Sequence, residues 1–148
     1  MQSIFTICTT IIVQLIISIT AIVAQNDQWS WESGDTTINQ SGIYGIKGVS
    51  SAVNKPGARD GSVSWIDSNG NLWFFSGKNL LSSAYLNDLW KYDLTIKQWT
   101  WVSGDNMTNQ GGNYGSKGQS SPNNKPGGRY TAIRWIDTNG NFWLFGGY

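Results

Sequence analysis

The sequence predicts an all-β protein. Nine Trp and 18 Gly stand out in a chain of 148 residues. Aromatic side chains suit the pleated surface of strands, and Gly permits tight turns. Beyond residue 24, the apolar residues nowhere keep helical spacing over a long window. The chain also repeats itself. These observations together indicate many short strands that are joined by turns.

An internal repeat is the strongest signal in the sequence, and its offset is 70 residues. Gln28–Gly77 aligns with Gln98–Gly147 without a gap, and 29 of the 50 aligned positions are identical. The tetrapeptide Asn-Lys-Pro-Gly, for example, occurs at 54–57 and again at 124–127. Identity at this level does not arise by chance, so the chain contains two copies of one structural unit.

One period of the repeat predicts a meander of four antiparallel strands. The first two strands form a hairpin, because Asp67–Gly70 ends in Asn-Gly, which accepts positive φ at both central positions of a turn. The second strand is almost continuously apolar, which indicates burial on both faces. The four predicted strands are Arg59–Ile66, Leu72–Phe75, Leu86–Asp93 and Gln98–Val102.

The strands can be counted along the chain. Gln28–Glu32 is predicted to be the last strand of one unit, residues 59–102 a complete unit, and residues 129–147 the first two strands of the next. A single sheet with aromatic residues on both faces is not stable alone and needs neighbouring sheets stacked against it.

Residues 25–148 resemble the kelch repeat, which is shared with the propeller domain of galactose oxidase. The kelch pattern is an apolar strand and a diglycine, then a Tyr and a Trp that are separated by six residues. In the first copy, Ser76 stands where the pattern has the first glycine of the diglycine. The residues that carry the resemblance are Gly77, Tyr92, Trp99, Gly146 and Gly147.

The resemblance implies four-stranded antiparallel blades of a β-propeller. Propellers have about four to eight blades, whereas this sequence contains fewer than two. We therefore expect a partial propeller, belonging to a longer secreted protein. Two alternatives are a homo-oligomer, in which several chains close one ring, and a small open sheet.

Two long loops distinguish this repeat from kelch repeats, whose period is about 50 residues. The additional residues lie in Ser33–Ala58 and Ser103–Gly128. Connections in an antiparallel meander alternate between the two ends of the sheet, so the long loops share one face with the predicted loop Lys78–Tyr85. Long loops on a rigid scaffold commonly bind ligands, and we expect the ligand on this face.

Four residues are candidate ligand contacts. Arg59 and Arg129 each open a first strand, and the resemblance implies that first strands line the central channel of a propeller. A ring of Arg there could meet an anionic ligand. The alternative is a structural role, in which each Arg binds carbonyl groups of nearby loops. Tyr44 and Tyr114 lie between glycines in the two long loops.

Catalytic chemistry is poorly supported by the composition. The chain has no His, and its one Cys, Cys8, precedes the repeat. Disulfides, thiol nucleophiles, thiolate metal sites and His-based catalysis are thereby excluded from the repeat. Galactose oxidase holds copper with His and Tyr and uses a cysteine-modified Tyr, so its activity does not carry over. The stretch from Asp67 to Asn71 fits a turn better than a calcium loop.

We therefore predict a non-catalytic module without metal or cofactor, which binds a protein or a glycan through the long-loop face. The alternative is the N-terminal part of a galactose-oxidase-like enzyme whose catalytic residues lie outside this sequence. Ten Lys and Arg against nine Asp and Glu do not indicate a nucleic-acid partner.

Residues 1–24 are predicted to be a signal peptide. Ile4–Ala24 is apolar and uncharged, and cleavage after Ala24 fits the small residue at the polar boundary. The alternative is an uncleaved anchor over residues 4–24, with the remainder outside the cell. Asn39 and Asn106 begin Asn-X-Ser/Thr triplets, which are candidate glycosylation sites in a secreted protein.

Overall fold

The computed structural model describes residues 30–148, and every regular element in this range is a β-strand, as predicted. Glu32–Tyr148 forms a unit of its own and contains all of these strands. No helix in this range has the length and apolarity needed to cross a membrane. The predicted signal segment lies outside the described residues. The strands are β1 (Ser50–Ser51), β2 (Arg59–Asp60), β3 (Val63–Ile66), β4 (Leu72–Asn79), β5 (Ala84–Asp93), β6 (Gln98–Ser103), β7 (Ile133–Ile136) and β8 (Phe142–Phe145).

The first sheet contains the predicted four-stranded meander. Its strands follow the order β1-β6-β5-β4-β2, with β3 also paired to β4, and all pairs are antiparallel. The predicted first strand is divided into β2 and β3 because Gly61 between them has a φ of +63°. An L-residue rarely adopts this value.

The connection between β4 and β5 is shorter than predicted. The predicted bounds of this loop, Lys78–Tyr85, are wrong, since β4 continues to Asn79 and β5 begins at Ala84. The reason is a β-bulge between Phe75 and Gly77. A bulge absorbs one extra residue and lets strand pairing resume beyond it.

Burial on both faces of the second strand is also wrong in part. Leu72 is 39% exposed, whereas Phe75 is 5% exposed. Phe75 forms the core together with Val63 and Trp65. These three side chains share the face that packs against Phe142 of the second repeat, whereas Leu72 lies on the opposite face at the start of the strand.

β7 and β8 form a second hairpin that reproduces the first. Trp135 pairs with Trp143 in this hairpin, as Trp65 pairs with Trp73 in the first. The two hairpins stack, and the rings of Trp65 and Phe142 lie 5.2 Å apart at an interplanar angle of 10°. Stacked rings of this kind bury large apolar area at the contact.

The predicted strand Gln28–Glu32 is not seen in its described part, because Ser30–Glu32 has no strand structure. Gln28 and Trp29 lie outside the described residues. The edge next to β6 is instead occupied by β1, which comes from the first long loop. Its Ser50 lies opposite Thr100.

The two hairpin turns are built around aspartates, which confirms the interpretation of these stretches as turns. The Asp67 carboxylate accepts hydrogen bonds from the backbone N–H of Asn69 and Asn71 and from Nε1 of Trp73, at 2.8 to 2.9 Å. Asp137 accepts the same set of bonds in the second hairpin. Side-chain acceptance of this kind closes the turn locally.

These bonds make the hairpin turns sensitive to acid. The bond from Trp73 is the main cause that lowers the pKa of Asp67 from 3.8 to about 2. In the second turn, bonds from Asn141 and Trp143 likewise lower the pKa of Asp137 to about 2. A lowered pKa in the folded state stabilises the fold above the unfolded value of 3.8, and this stabilisation is lost as the pH falls towards 2.

We expect Asp67→Asn to lower the melting temperature at pH 6, with a difference from the native chain that shrinks between pH 4 and pH 2. Melting curves followed by circular dichroism across this range measure the effect. The same change at the exposed Asp60 is the control. A difference that stays constant from pH 6 to pH 2 would contradict the role of the Asp67 carboxylate.

Candidate functional site

A buried polar cluster lies where the first long loop meets the first sheet. Arg59 holds Asp88 with two hydrogen bonds, Nη1 to Oδ1 at 2.5 Å and Nη2 to Oδ2 at 2.8 Å. Oδ2 also accepts bonds from the Tyr44 hydroxyl and from Nε1 of Trp90, both at 2.7 Å. The side chains of Arg59 and Asp88 are only 7% and 0% exposed. Four donor bonds satisfy this carboxylate without water.

The sequence around Arg59 sets the direction of its guanidinium. Nε donates to the carbonyl of Gly57 at 3.0 Å, and Nη1 donates to the carbonyl of Ser76 at 3.1 Å. The guanidinium therefore spans from the loop before β2 to the bulge in β4, with its outer edge directed at β5. A planar fork held at both sides presents two parallel donors to a carboxylate.

Aromatic packing closes the cluster. The ring of Tyr44 lies 5.0 Å from that of Trp90 and 5.1 Å from that of Trp101. Burial is the main cause that raises the pKa of Tyr44 above its ordinary value, and the neighbouring charge of Asp88 raises it further. The hydroxyl therefore stays protonated and acts as a donor to the carboxylate.

Arg59 and Tyr44, which are predicted ligand contacts, both bind the Asp88 carboxylate inside the fold. Their contact with a ligand stays a prediction. The alternative that the sequence offered for Arg59, bonds to loop carbonyls, is observed at Gly57 and Ser76. The carboxylate partner was not anticipated.

The second repeat contains the same arrangement in an open form. Arg129 donates from Nε to the Gly127 carbonyl at 3.1 Å and from Nη1 to the Gly146 carbonyl at 2.9 Å. Its Nη2 donates to the hydroxyl of Tyr114 at 2.8 Å. Tyr114 is 65% exposed. No carboxylate within residues 30–148 pairs with Arg129.

The backbone of Arg129 is fixed by the first repeat. Its N–H donates to the carbonyl of Leu86 at 3.1 Å and to Oγ of Ser76 at 3.0 Å. Its carbonyl accepts from the N–H of Gly77 at 3.0 Å. The bulge in β4 thus serves as the anchor for the second copy, and the open guanidinium stands on a rigid support.

Within residues 30–148, β8 is paired on one edge only. β4 pairs with β3 on one edge and with β5 on the other. β8 pairs with β7, and its other edge pairs with no strand in the described part of the chain. No strand of residues 30–148 holds on β8 the position that β5 holds on β4, where Asp88 reaches Arg59.

The second long loop is ordered, and its ends are tied to the first sheet. Lys125 contacts Asp105 at 2.6 Å and forms a β-bridge with Asn113. Asn109 donates its N–H to the Tyr85 carbonyl at 2.6 Å and accepts from the Tyr85 N–H at 2.9 Å. This places the loop at the same end of the sheet as the β4–β5 turn, as the meander predicts.

The other residues that the sequence singled out have structural positions. Tyr92 is buried, and its ring lies 4.8 Å from that of Trp99. Gly77, Gly146 and Gly147 have φ values of +111°, +67° and +92°. Asn39 and Asn106 are exposed, so both glycosylation candidates are accessible.

Sequence reasoning missed the role of Asp88 and Trp90. The signal that could have found them is a carboxylate next to Leu89 and Trp90 in a strand, since a buried carboxylate requires a partner. Its partner Arg59 lies 29 residues away in the sequence, and nothing local connects the two.

The fold and the site together define an all-β protein that contains one closed and one open copy of an Arg-Tyr arrangement. Comparison with known proteins found no match among protein-family models, curated proteins or solved structures. Residues 30–148 contain no group of three or more His, Cys, Asp or Glu side chains that could hold a metal ion.

Proposed function

We propose that this chain is a secreted, non-catalytic binding module, made of kelch-type blades, that captures a carboxylate-bearing protein or glycan on its long-loop face. The observation that carries the proposal is the open pair of Arg129 and Tyr114. Two backbone carbonyls hold the Arg129 guanidinium in place. A charged donor that is fixed before binding loses little conformational entropy when a ligand arrives.

The first repeat supports this choice of ligand chemistry. There the same pair of side chains, Arg59 and Tyr44, holds a carboxylate. The second pair has the same supporting bonds, and it therefore suits the same group. The galactose-oxidase alternative, with its catalytic residues outside this sequence, stays a prediction.

The test is selection of ligands from a library of short random peptides and from an array of acidic glycans. We expect the native chain to enrich carboxylate-containing ligands, and Arg129→Ala to reduce their binding about 30-fold or more, as loss of one partner of a hydrogen-bonded charge pair does. Arg134→Ala is the matched control, since Arg134 is an exposed residue of the same hairpin. If neither collection yields a ligand that distinguishes Arg129→Ala from the native chain, the proposal is wrong.

A further inference from the structure

We propose that the two long loops bind an acidic sugar, a pyranose ring that carries a carboxylate, in a polar groove between them. Lys47 of the first loop lines this groove together with the end of β6 and with Asn113, Asn123 and Lys125 of the second loop. The site goes beyond the proposed function, since the Arg-Tyr pair of the second repeat does not line it.

The groove has the size of a small-molecule site. Its volume is about 410 Å³, and such sites occupy about 300–1,000 Å³. All of its lining residues lie between Lys47 and Lys125, and none belongs to β7 or β8. The groove is therefore formed by the two loops and by the sheet that supports them.

Two ammonium groups give the groove its charge. Nζ of Lys47 donates to the carbonyl of Gly104 at 2.6 Å and lies 4.3 Å from the centre of the Trp101 ring. Nζ of Lys125 donates to the two carboxylate oxygens of Asp105 at 2.6 and 2.7 Å. Lys47 pairs with no carboxylate in residues 30–148. The groove thus has a net positive charge that is held in place before a ligand arrives.

The two ammonium groups act on the same carboxylate. The bond from Lys125 is the main cause that lowers the pKa of Asp105, and the charge of Lys47 adds to this effect. Two cations beside one anion leave a positive charge that is not balanced, and a ligand with a carboxylate would balance it.

The amides of the second loop are not required by its backbone. Asn113 and Asn123 correspond to Ile43 and Val53 of the first loop at the offset of 70 residues. Both loops nevertheless form the same β-bridge, at Ile43 in the first and at Asn113 in the second. The side chain of Asn123 makes no hydrogen bond within residues 30–148, and that of Asn113 accepts only a long bond of 3.4 Å from the N–H of Gly115. Both amides are available to a ligand.

These groups match a sugar better than a simple anion. A side-chain amide presents donors and an acceptor side by side, and neighbouring ring hydroxyls offer the same combination. A phosphate ion would leave the amide oxygens without a donor, because it has acceptors almost exclusively. The apolar side chains of Val102 and Pro122 complete the lining and can contact the C–H groups of a sugar ring.

A protein segment suits the groove less well. Aromatic and Arg side chains in closely packed pockets supply most of the binding energy in protein interfaces. The lining of the groove includes no aromatic residue and no Arg. Its polar groups instead suit a small ligand that is rich in hydroxyls.

The probe is the methyl glycoside of glucuronic acid, titrated into the isotope-labelled full chain and followed by nuclear magnetic resonance. We expect saturable shifts of amide signals from both long loops. Methyl glucoside, which lacks the carboxylate, should bind about tenfold less tightly or worse, and Lys47→Gln should have an effect of similar size, because each removes a charge-assisted hydrogen bond.

Two further variants complete the design. Asn123→Val installs the residue of the first loop and should weaken binding about fivefold, since the hydrogen bonds that it removes are neutral. Lys117→Gln removes the same charge from an exposed residue that is the counterpart of Lys47, and it should bind as the native chain does. The amide spectrum of each variant shows whether it is folded, and Asn123→Val carries the test if Lys47→Gln is not.

Any one of four results would overturn the inference. The first is the absence of saturable shifts with the glucuronide. The second is equally tight binding of methyl glucoside, which would mean that the charge has no role. The third is inorganic phosphate that binds as tightly as the glucuronide and is unaffected by Asn123→Val, which would make the groove a general anion site. The fourth is a short acidic peptide that displaces the glucuronide and binds more tightly, which would make a protein segment the occupant.

Discussion

Asp88→Ala is expected to destabilise the protein by about 3–5 kcal/mol, the cost of removing one partner from a buried ion pair. The Arg59 side chain is only 7% exposed, so its charge would remain in the interior without a carboxylate. The Tyr44 hydroxyl and the Trp90 indole would lose their acceptor as well. Urea denaturation followed by Trp fluorescence measures the change in the free energy of unfolding.

The internal repeat provides a matched control for this prediction. Arg59→Ala should be about as costly as Asp88→Ala, because it leaves the carboxylate buried alone. Arg129→Ala should cost about 1 kcal/mol or less, since the bonds that the Arg129 side chain makes to Gly146 and Tyr114 are exposed. Equal losses at Arg59 and Arg129 would contradict the assignment of one site as closed and the other as open.

A second large effect is expected at Gly104, where substitution by Ala should destabilise the fold by about 2–5 kcal/mol. Its φ is +82°, and an added Cβ would lie 2.0 Å from the carbonyl oxygen of Asn87 and 2.7 Å from Cα of Asp88. The positive φ costs an L-residue about 1–2 kcal/mol, and displacement of packed neighbours costs about 1–3 kcal/mol. The neighbour here is the backbone of β5, which cannot rotate away.

Gly34 is the counterpart of Gly104 in the first repeat and separates these two costs. Its φ is also positive, at +106°, but nothing lies within 4 Å of an added Cβ. Gly34→Ala should therefore cost only the conformational part, about 1–2 kcal/mol. Chemical denaturation of both variants is the measurement. If Gly104→Ala loses no more stability than Gly34→Ala, then close packing against β5 is not what requires the glycine.

Local features of the fold were predictable from the sequence because their causes are local. The hairpin turns follow from Asp67, whose hydrogen bonds reach at most six positions along the chain, and from Gly70, whose φ is +85°. Asn69 does not adopt the positive φ that the Asn-Gly pair permits. The strands follow from the placement of aromatic residues between such turns. The bulge at Ser76 was not predictable in this way, since its side chain bonds to Leu86 and Arg129.

The candidate site was predictable only in part. The residue types, Arg after Pro-Gly and Tyr between glycines, drew attention to all four side chains. Their roles could not be assigned, because a guanidinium that holds a buried carboxylate and one that is open to a ligand have the same local sequence.

By itself, the sequence determined that this protein is all-β, that it contains two copies of one unit, and that each copy presents an Arg and a Tyr. Only the tertiary structure decided that Asp88 is the partner of Arg59. β5 brings Asp88 to Arg59 through strand pairing across 29 residues, and no strand in residues 30–148 does the same for Arg129. The physical reason is that pairing between strands, rather than local sequence, determines which carboxylate reaches a charge inside the fold.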